Sequence, residues 1–276
     1  MKFMESFYRS GQSPNWFNGF SYLTVMGSRA YKTNVLESDY DFVGFLVPPV
    51  SVVFPHTKGD ILGFGRNIQN FEQIQFQHMQ TEEYGEVDVT LYNIVKYFQL
   101  LMGGNPNIVD SIFTNKDSIY HTDEVGKLVK ENRHLFLSEK DFHTFRGMLH
   151  AHLSRIKSGH VKEGRKYDGQ DWDWKDGYHC MRMCFELDEI LFEGTLTVDK
   201  NSEPLMDVRK GKVNKDELVS YCESYLSSIE EKVTNKSSLK VPHSPDEKKI
   251  KKLLLGCLDI QYGKEWKTNV GYGRCE

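Results

Sequence analysis

Two carboxylates and a glycine–serine pair lie close together early in the chain and could serve one reaction. Asp39 and Asp41 are one residue apart, and Gly27 and Ser28 precede them. Residues two apart on an extended strand point to one face, so we expect the two carboxylates to project together. Like charges held that close are costly unless a cation lies between them. Mg²⁺ suits such oxygen ligands best, with Mn²⁺ as an alternative.

The neighbouring residues predict the elements that would position these groups. An apolar run over 20–26 predicts a first strand, and residues 39–47 predict a second. A Gly-Ser pair at a strand end, opening a helical turn, lets backbone N–H groups approach a phosphate closely. An ordinary exposed turn is the alternative, because Ser and Asp are common in turns. The apolar run over 42–47, directly after the carboxylates, favours the metal site.

A later segment adds a third candidate carboxylate. Residues 86–89 alternate polar and apolar side chains, which is typical of a half-buried strand, and Glu86 and Asp88 share one of its faces. A further carboxylate near a metal site can bind the metal or act as a general base toward an attacking hydroxyl. A surface strand with two solvated acids is the alternative.

These residues resemble the nucleotidyltransferase superfamily of DNA polymerase β, and within it the RlaP-type predicted nucleotidyltransferases of bacteria and phages. The resemblance extends from about residue 15 to residue 260, and one departure is Lys32, where the family pattern usually has glycine. A lysine there could itself meet a phosphate. The motifs that carry the resemblance are, in order, GSRAYK, SDYD, GEVDVT, GGNPNIVDSIF and KDGYHCMR.

The resemblance implies transfer of a nucleoside monophosphate from an NTP to a hydroxyl, with release of pyrophosphate. It implies that Asp39 and Asp41 bind two Mg²⁺ ions. Asp88 would bind the second metal and assist deprotonation of the acceptor. Gly27 and Ser28 would hold the β- and γ-phosphates. The further candidates for nucleotide binding are Arg29, Lys32, Ser38, Lys175, His179 and Arg182.

Several functional alternatives stay open at this point. The acceptor could be an RNA 3′ end, a protein hydroxyl or a small molecule, and the oligomeric state is not indicated. A non-catalytic nucleotide sensor would keep the same cleft, and an antitoxin-like interaction protein would transfer to a protein or have lost the activity.

Length and composition are those of a globular protein. A chain of 276 residues can bury a sizeable core, and a net charge of −4 does not point to a nucleic-acid partner. The five cysteines lack framework spacing, so we expect free thiols in a reducing cytoplasm, that of the host if a phage encodes the protein. No secretory signal and no long apolar run occur, so we expect no membrane association. GFGRN at 63–67 lacks the third glycine of a dinucleotide fingerprint, and no phosphate-binding GxxxxGK[ST] loop occurs.

The periodicities predict an α/β (α+β) fold in two parts. A small mixed sheet carrying the site would occupy residues 1–102, with strands and a covering loop over 50–85. A helical part over 103–276 would pack beside it and close the cleft. Residues 164–177, and residues 194–212 with their closing Arg-Lys-Gly-Lys run, are expected to be loops or a small hairpin. Helices are predicted from Leu91 to Met102 and over 106–113, 122–132, 138–158, 178–192, 216–231 and 246–257. Asn105 is expected to cap the second of them.

The segment 141–166 is the clearest basic patch in the sequence. It holds six Lys or Arg residues against two acids. It could contact the triphosphate or an RNA backbone, or it could be a solvated helix face balanced by acids elsewhere. His150 and His152, with Cys180 and Cys184, suggest zinc, but their spacing is not that of a known zinc finger.

Overall fold

The computed structural model describes residues 2–11, 13–54, 61, 71–162, 171–236 and 238–263. The strands are β1 (Tyr22–Val25), β2 (Tyr40–Leu46), β3 (Gln73–Thr81), β4 (Gly85–Asn93) and β5 (Ile119–Thr122). The helices are α1 (Lys2–Arg9), α2 (Gly27–Ala30), α3 (Val50–Val53), α4 (Ile94–Met102), α5 (Pro106–Phe113), α6 (Glu124–Glu131), α7 (Glu139–Lys157), α8 (Trp174–Asp188), α9 (Ser202–Arg209), α10 (Lys215–Thr234) and α11 (Glu247–Tyr262).

The strands form one mixed sheet, as the sequence predicts. Their order is β3-β4-β2-β1-β5. The two central strands β2 and β4 run parallel, and the other neighbours run antiparallel. The parallel register pairs Asp41 directly with Asp88. The sheet therefore brings together two carboxylates that are far apart in sequence.

The two faces of the sheet are covered by different parts of the chain. On one face, α1 inserts Phe3 and Phe7 among the aromatic side chains of Phe42 and Phe76. On the other face, Phe45 belongs to the core shared with the helices after β4. Side chains alternate along a strand, so Asp41 projects on the same side as Phe45. The carboxylates consequently face the helical part of the protein.

The helices begin at side chains that accept a hydrogen bond from the first turn. Asn105 accepts one from the backbone of Ile108, which confirms its predicted role as a cap. Ser138 and Asp141 form a capping box at the start of α7. Asp173 caps α8 by accepting from the backbone N–H of Lys175. These caps fix where the long helices α7 and α8 start.

Several predicted boundaries were wrong because tertiary contacts override local periodicity. The helix predicted from Leu91 begins at Ile94, since β4 stays paired with β3 as far as Tyr92 and with β2 as far as Asn93. Helix α8 begins at Trp174, so the end of the predicted 164–177 loop is helical. The region 194–212 contains the helix α9 instead of a hairpin.

Some predictions fall partly or wholly outside the described residues. In the segment 50–85 the structure has α3 and β3, while 55–60 and 62–70, with the GFGRN motif, are not described. Strand β5 was not predicted, and it pairs with β1 although it follows residue 102. The division of the chain at 102 thus stays a prediction. No helix within the described ranges is both long enough and apolar enough to cross a bilayer.

The close approach of β1 to β2 requires a glycine at position 44, and this requirement provides a test of the fold. A Cβ atom at this position would lie 2.0 Å from the carbonyl oxygen of Tyr22. Gly44→Ala should therefore lower the free energy of unfolding by about 1–3 kcal/mol or more, as measured by urea denaturation. Gly147→Ala is the matched control, since nothing lies within 4 Å of a Cβ there and Gly147 is inside α7. It should raise stability by about 0.5–1 kcal/mol. Equal stability of the two variants would contradict the close approach.

Candidate active site

The turn after β1 brings the backbone against a carboxylate. Gly27 has φ +62°, in the left-handed region that favours glycine. A Cβ atom there would lie 2.5 Å from Oδ2 of Asp41. The backbone N–H of Met26 donates to the carbonyl oxygen of Asp41 at 2.7 Å. Glycine is thus required at position 27 for both its conformation and its lack of a side chain.

Asp41 lies where like charges converge. Burial raises the pKa of its carboxyl group above the usual value, and the neighbouring charge of Asp88 raises that pKa further. The charge of Asp39 acts in the same direction, and Lys175 opposes it. Carboxylates that repel one another in this way fit a divalent cation, whose charge would relieve the repulsion.

The described residues do not form a complete set of metal ligands around these carboxylates. Among them, no three or more His, Cys, Asp or Glu side chains are gathered closely enough to hold a metal ion. The candidate zinc ligands from the sequence are also found in other roles. His152 is bonded to Asp176 at 2.6 Å, and Cys180 and Cys184 are buried as free thiols.

Arg29 holds the chain that carries the first carboxylate. Its guanidinium donates to the carbonyl oxygens of Ser38 at 2.6 Å and Asp39 at 3.2 Å. It also lies over the ring of Tyr40, 3.6 Å from the centroid. The donors that the sequence assigned to nucleotide binding are here used to fix the backbone before β2.

A cavity of about 340 Å³ opens above these groups, a size within the range of small-molecule sites. It combines the Gly27–Ser28 backbone, two of the carboxylates, cations from the helical part and aromatic rings. Its lining residues are Gly27, Ser28, Tyr31, Glu37, Ser38, Asp39, Asp41, Trp174, Lys175, Tyr178 and Arg209.

Arg209 on α9 is a lining residue that sequence reasoning missed. Its guanidinium donates to the carbonyl oxygen of Thr33 at 2.8 Å and to Oγ of Ser38 at 3.1 Å. It also lies 5.4 Å from the ring centroid of Trp174. The basic run that starts at Arg209 was the available signal, but its segment was interpreted as a loop or hairpin.

The KDGYH motif divides between the cavity and the neighbouring helix. Lys175 and Tyr178 line the cavity from the first turns of α8. Tyr178 shares a hydrogen bond of 2.9 Å with the hydroxyl of Thr33. The ring of His179 instead lies 5.0 Å from that of His152 on α7. The position of Lys175 therefore agrees with its predicted role in nucleotide binding. The position of His179, beside α7, agrees less well with the same role.

Lys32 occupies the position at which the family pattern has glycine. Its φ of +54° is in the left-handed region, so the backbone keeps the conformation that a glycine would favour. Its ammonium group lies 2.6 Å from a carboxylate oxygen of Asp199. This cation is thus paired with an acid on the helical side, and its phosphate contact stays a prediction.

Arg182 is also found elsewhere than predicted. Its side chain is buried, with 4% of the residue exposed, and Nη1 lies 2.6 Å from Oδ2 of Asp110 on α5. Nη1 also donates to the hydroxyl of Tyr31, which itself donates to Asp110. Because Tyr31 lines the cavity, Arg182 is connected to the cavity through this ring, and its contact with a nucleotide stays a prediction.

The basic patch on α7 is balanced by acids of neighbouring helices. Arg155 bonds Asp176 on α8 at 2.9 Å, and Lys157 is paired with Glu223 on α10. Arg146 lies 2.9 Å from Glu230, also on α10. The cations that follow in sequence, at 165 and 166, lie outside the described residues. The described part of the patch is thus a set of ion pairs between helices.

Comparison with known protein families agrees with this geometry. Residues 18–254 match the family described as the RNA repair pathway DNA polymerase beta family, RlaP. The class is therefore that of the polymerase β-like nucleotidyltransferases. Because the match covers most of the sequence, the chain belongs to the RlaP family. No curated protein and no solved structure matches it significantly.

The buried pair of Arg182 and Asp110 can be tested through stability. Arg182→Met would leave the fully buried carboxylate of Asp110 without a counter-charge, so we expect a loss of about 3–5 kcal/mol in unfolding free energy. Adding Asp110→Asn should recover part of that loss, which a double-mutant cycle in urea would measure. Arg146→Met is the matched surface control and should cost about 0–1 kcal/mol. Strictly additive effects of the two buried substitutions would contradict the pair.

Proposed function

We propose that this protein is a Mg²⁺-dependent nucleotidyltransferase that moves a nucleoside monophosphate from an NTP to a hydroxyl acceptor and releases pyrophosphate. One observation carries the proposal. Asp41 and Asp88 lie side by side on adjacent parallel strands, and Asp41 meets the Gly27 backbone at the edge of the cavity. Membership of a polymerase β-like family supports the same reaction class.

In this proposal the cleft supplies contacts to the triphosphate from two sides. The backbone N–H groups of Gly27 and Ser28 donate to the β- and γ-phosphates. Lys175 and Arg209 add positive charge from the helical part. Binding at both ends fixes the α-phosphate near Asp41, where the acceptor oxygen can attack in line.

The reaction needs no reactant besides the NTP and the acceptor. The acceptor oxygen forms a bond to the α-phosphorus, and the bond from that phosphorus to the bridging oxygen of the β-phosphate breaks. Pyrophosphate leaves with the bonding electrons. Asp88 takes the proton of the acceptor hydroxyl as a general base.

The carboxylates of Asp39, Asp41 and Asp88 would hold the cation. When bound, Mg²⁺ stabilises negative charge that develops on the transferring phosphoryl group. The protein's own part is to place these three carboxylates on one side of the cleft.

The description of the family as part of an RNA repair pathway supports an RNA hydroxyl as the first acceptor to test. Free buried thiols at Cys180, Cys184, Cys222 and Cys257 support a reducing compartment such as the cytoplasm. A protein acceptor is a further outcome of the same experiment.

The decisive experiment offers each α-labelled NTP with Mg²⁺ and either total RNA or host protein. The label is then located by gel and by nuclease or protease digestion. Label on an RNA end, with release of pyrophosphate, supports the proposal. Tight Mg²⁺-nucleotide binding with no transfer to any acceptor would instead favour a nucleotide sensor.

Substitution of the carboxylates should separate binding from turnover. Asp39→Asn and Asp41→Asn each remove a charge that the cation needs, so binding of a Mg²⁺ complex of a non-hydrolysable NTP should weaken along with turnover. Asp88→Asn should lower turnover by about 10²-fold or more and leave nucleotide binding nearly unchanged. Glu86→Gln is the matched control, because Glu86 shares the strand but its oxygens bond His78 and Gln80.

Titration calorimetry beside a turnover assay provides both measurements. Full turnover in Asp88→Asn would remove that residue from the site. Unaltered binding and turnover in both Asp39→Asn and Asp41→Asn would refute the nucleotidyltransferase proposal.

A further inference from the structure

The edge strand β3 carries an irregularity directly opposite the third carboxylate. Phe76 pairs with Val89, and Met79 pairs with Val87. Two residues, Gln77 and His78, therefore face the single residue Asp88 on β4. This two-against-one arrangement is a β-bulge, and bulges are common beside active sites, where they redirect a group.

The bulge turns a backbone donor toward the Asp88 side chain. The N–H of His78 donates to Oδ1 of Asp88 at 2.9 Å. In a regular ladder a backbone N–H lies in the plane of the sheet and cannot reach a side chain that projects from its face. His78 makes the contact with a φ of +56°, which is uncommon for a residue other than glycine. Such conformations persist where the surrounding structure enforces them, and they cluster at functional sites.

The same strand engages the other acid on this face of β4. Nδ1 of His78 lies 2.7 Å from one oxygen of Glu86, and Nε2 of Gln80 donates to the other oxygen at 3.1 Å. Both oxygens of Glu86 are thus bonded to β3. This leaves Asp88 as the carboxylate that stands beside Asp41 in the parallel register.

We propose that His78 is a positioning residue, whose bulged peptide N–H holds Oδ1 of Asp88 and leaves Oδ2 for the cation or the acceptor proton. His78 acts through Asp88 and does not itself touch substrate. The consequence for turnover rests on the proposed nucleotidyltransferase function, whereas the hold on Asp88 can be tested without any activity.

Amide hydrogen exchange tests the hold directly. Selective ¹⁵N-histidine labelling gives signals from only ten histidines, so the His78 amide can be followed in the full chain. We expect that amide to be protected in the wild-type protein and to exchange at least about tenfold faster in Asp88→Ala. Glu86→Gln, which changes the side-chain contacts to His78 and Gln80 but not the bond between the His78 peptide and Asp88, should leave its exchange within about twofold. Fast exchange in the wild-type protein, or the same rate in Asp88→Ala, would overturn the proposal.

Deletion of Gln77 tests the consequence for turnover. Phe76 and Met79 are both buried under α1, yet they are three residues apart, which only a bulge allows. Removing Gln77 restores regular alternation with both side chains still inward, so the deletion variant should fold, as a urea titration would verify. We expect its kcat to fall by about tenfold or more, with binding of a non-hydrolysable NTP within about twofold.

His78→Gly is the matched variant, because it keeps the bulge and the peptide N–H and removes the imidazole. Its kcat should stay within about threefold of wild type. A stable deletion variant with full kcat, or a His78→Gly variant as impaired as the deletion, would overturn the proposed role of the peptide. No turnover by the wild-type protein with any NTP and acceptor would contradict the proposed function instead, and the exchange rates would still decide whether His78 holds Asp88.

Discussion

The pairing of β2 with β4 in parallel is the constraint on which the rest of the site depends. It places Asp41 beside Asp88, and this arrangement opposes folding because burial and like charge both raise the pKa of Asp41. The sheet is held in this register by apolar contacts on its other face, where α1 packs Phe3 and Phe7 against the strands. The Gly27 turn then closes against Asp41, which leaves no room for a side chain. A bound cation would turn the unfavourable feature into a favourable one.

A second constraint connects the helical part to this turn. Arg182 on α8 and Asp110 on α5 form a buried ion pair that also contacts the hydroxyl of Tyr31. Glu186 lies in the same cluster, 3.7 Å from Arg182, and burial raises the pKa of its carboxyl group well above the usual value. The guanidinium of Arg182 is therefore the counter-charge for two buried acids. Tyr31 follows the Gly27–Ser28 turn, and its position thus depends on two helices that lie outside the sheet.

The sequence predicted what depends on neighbouring residues, and it failed where distant parts of the chain meet. The strand alternation around Asp41 and Asp88 and the cap at Asn105 are local patterns, and the structure confirms them. The burial of Arg182 was missed because its partner lies on another helix. The extension of β4 to Asn93 was missed because pairing on both sides overrides a helical period. The bulge at His78 did leave a local signal, since Phe76 and Met79 are apolar and three residues apart within a strand.

The two arginines that hold the chain beside the cleft differ from the cations of α7 in the charge of their partners. Arg155 and Lys157 are bonded to carboxylates, which cancel their charge. Arg29 and Arg209 are instead bonded to neutral carbonyl and hydroxyl oxygens of the chain around Ser38. Neutral acceptors fix a guanidinium without cancelling its charge, so the positive potential stays available to an anion. This difference explains why the dense run of basic residues on α7 does not mark the site.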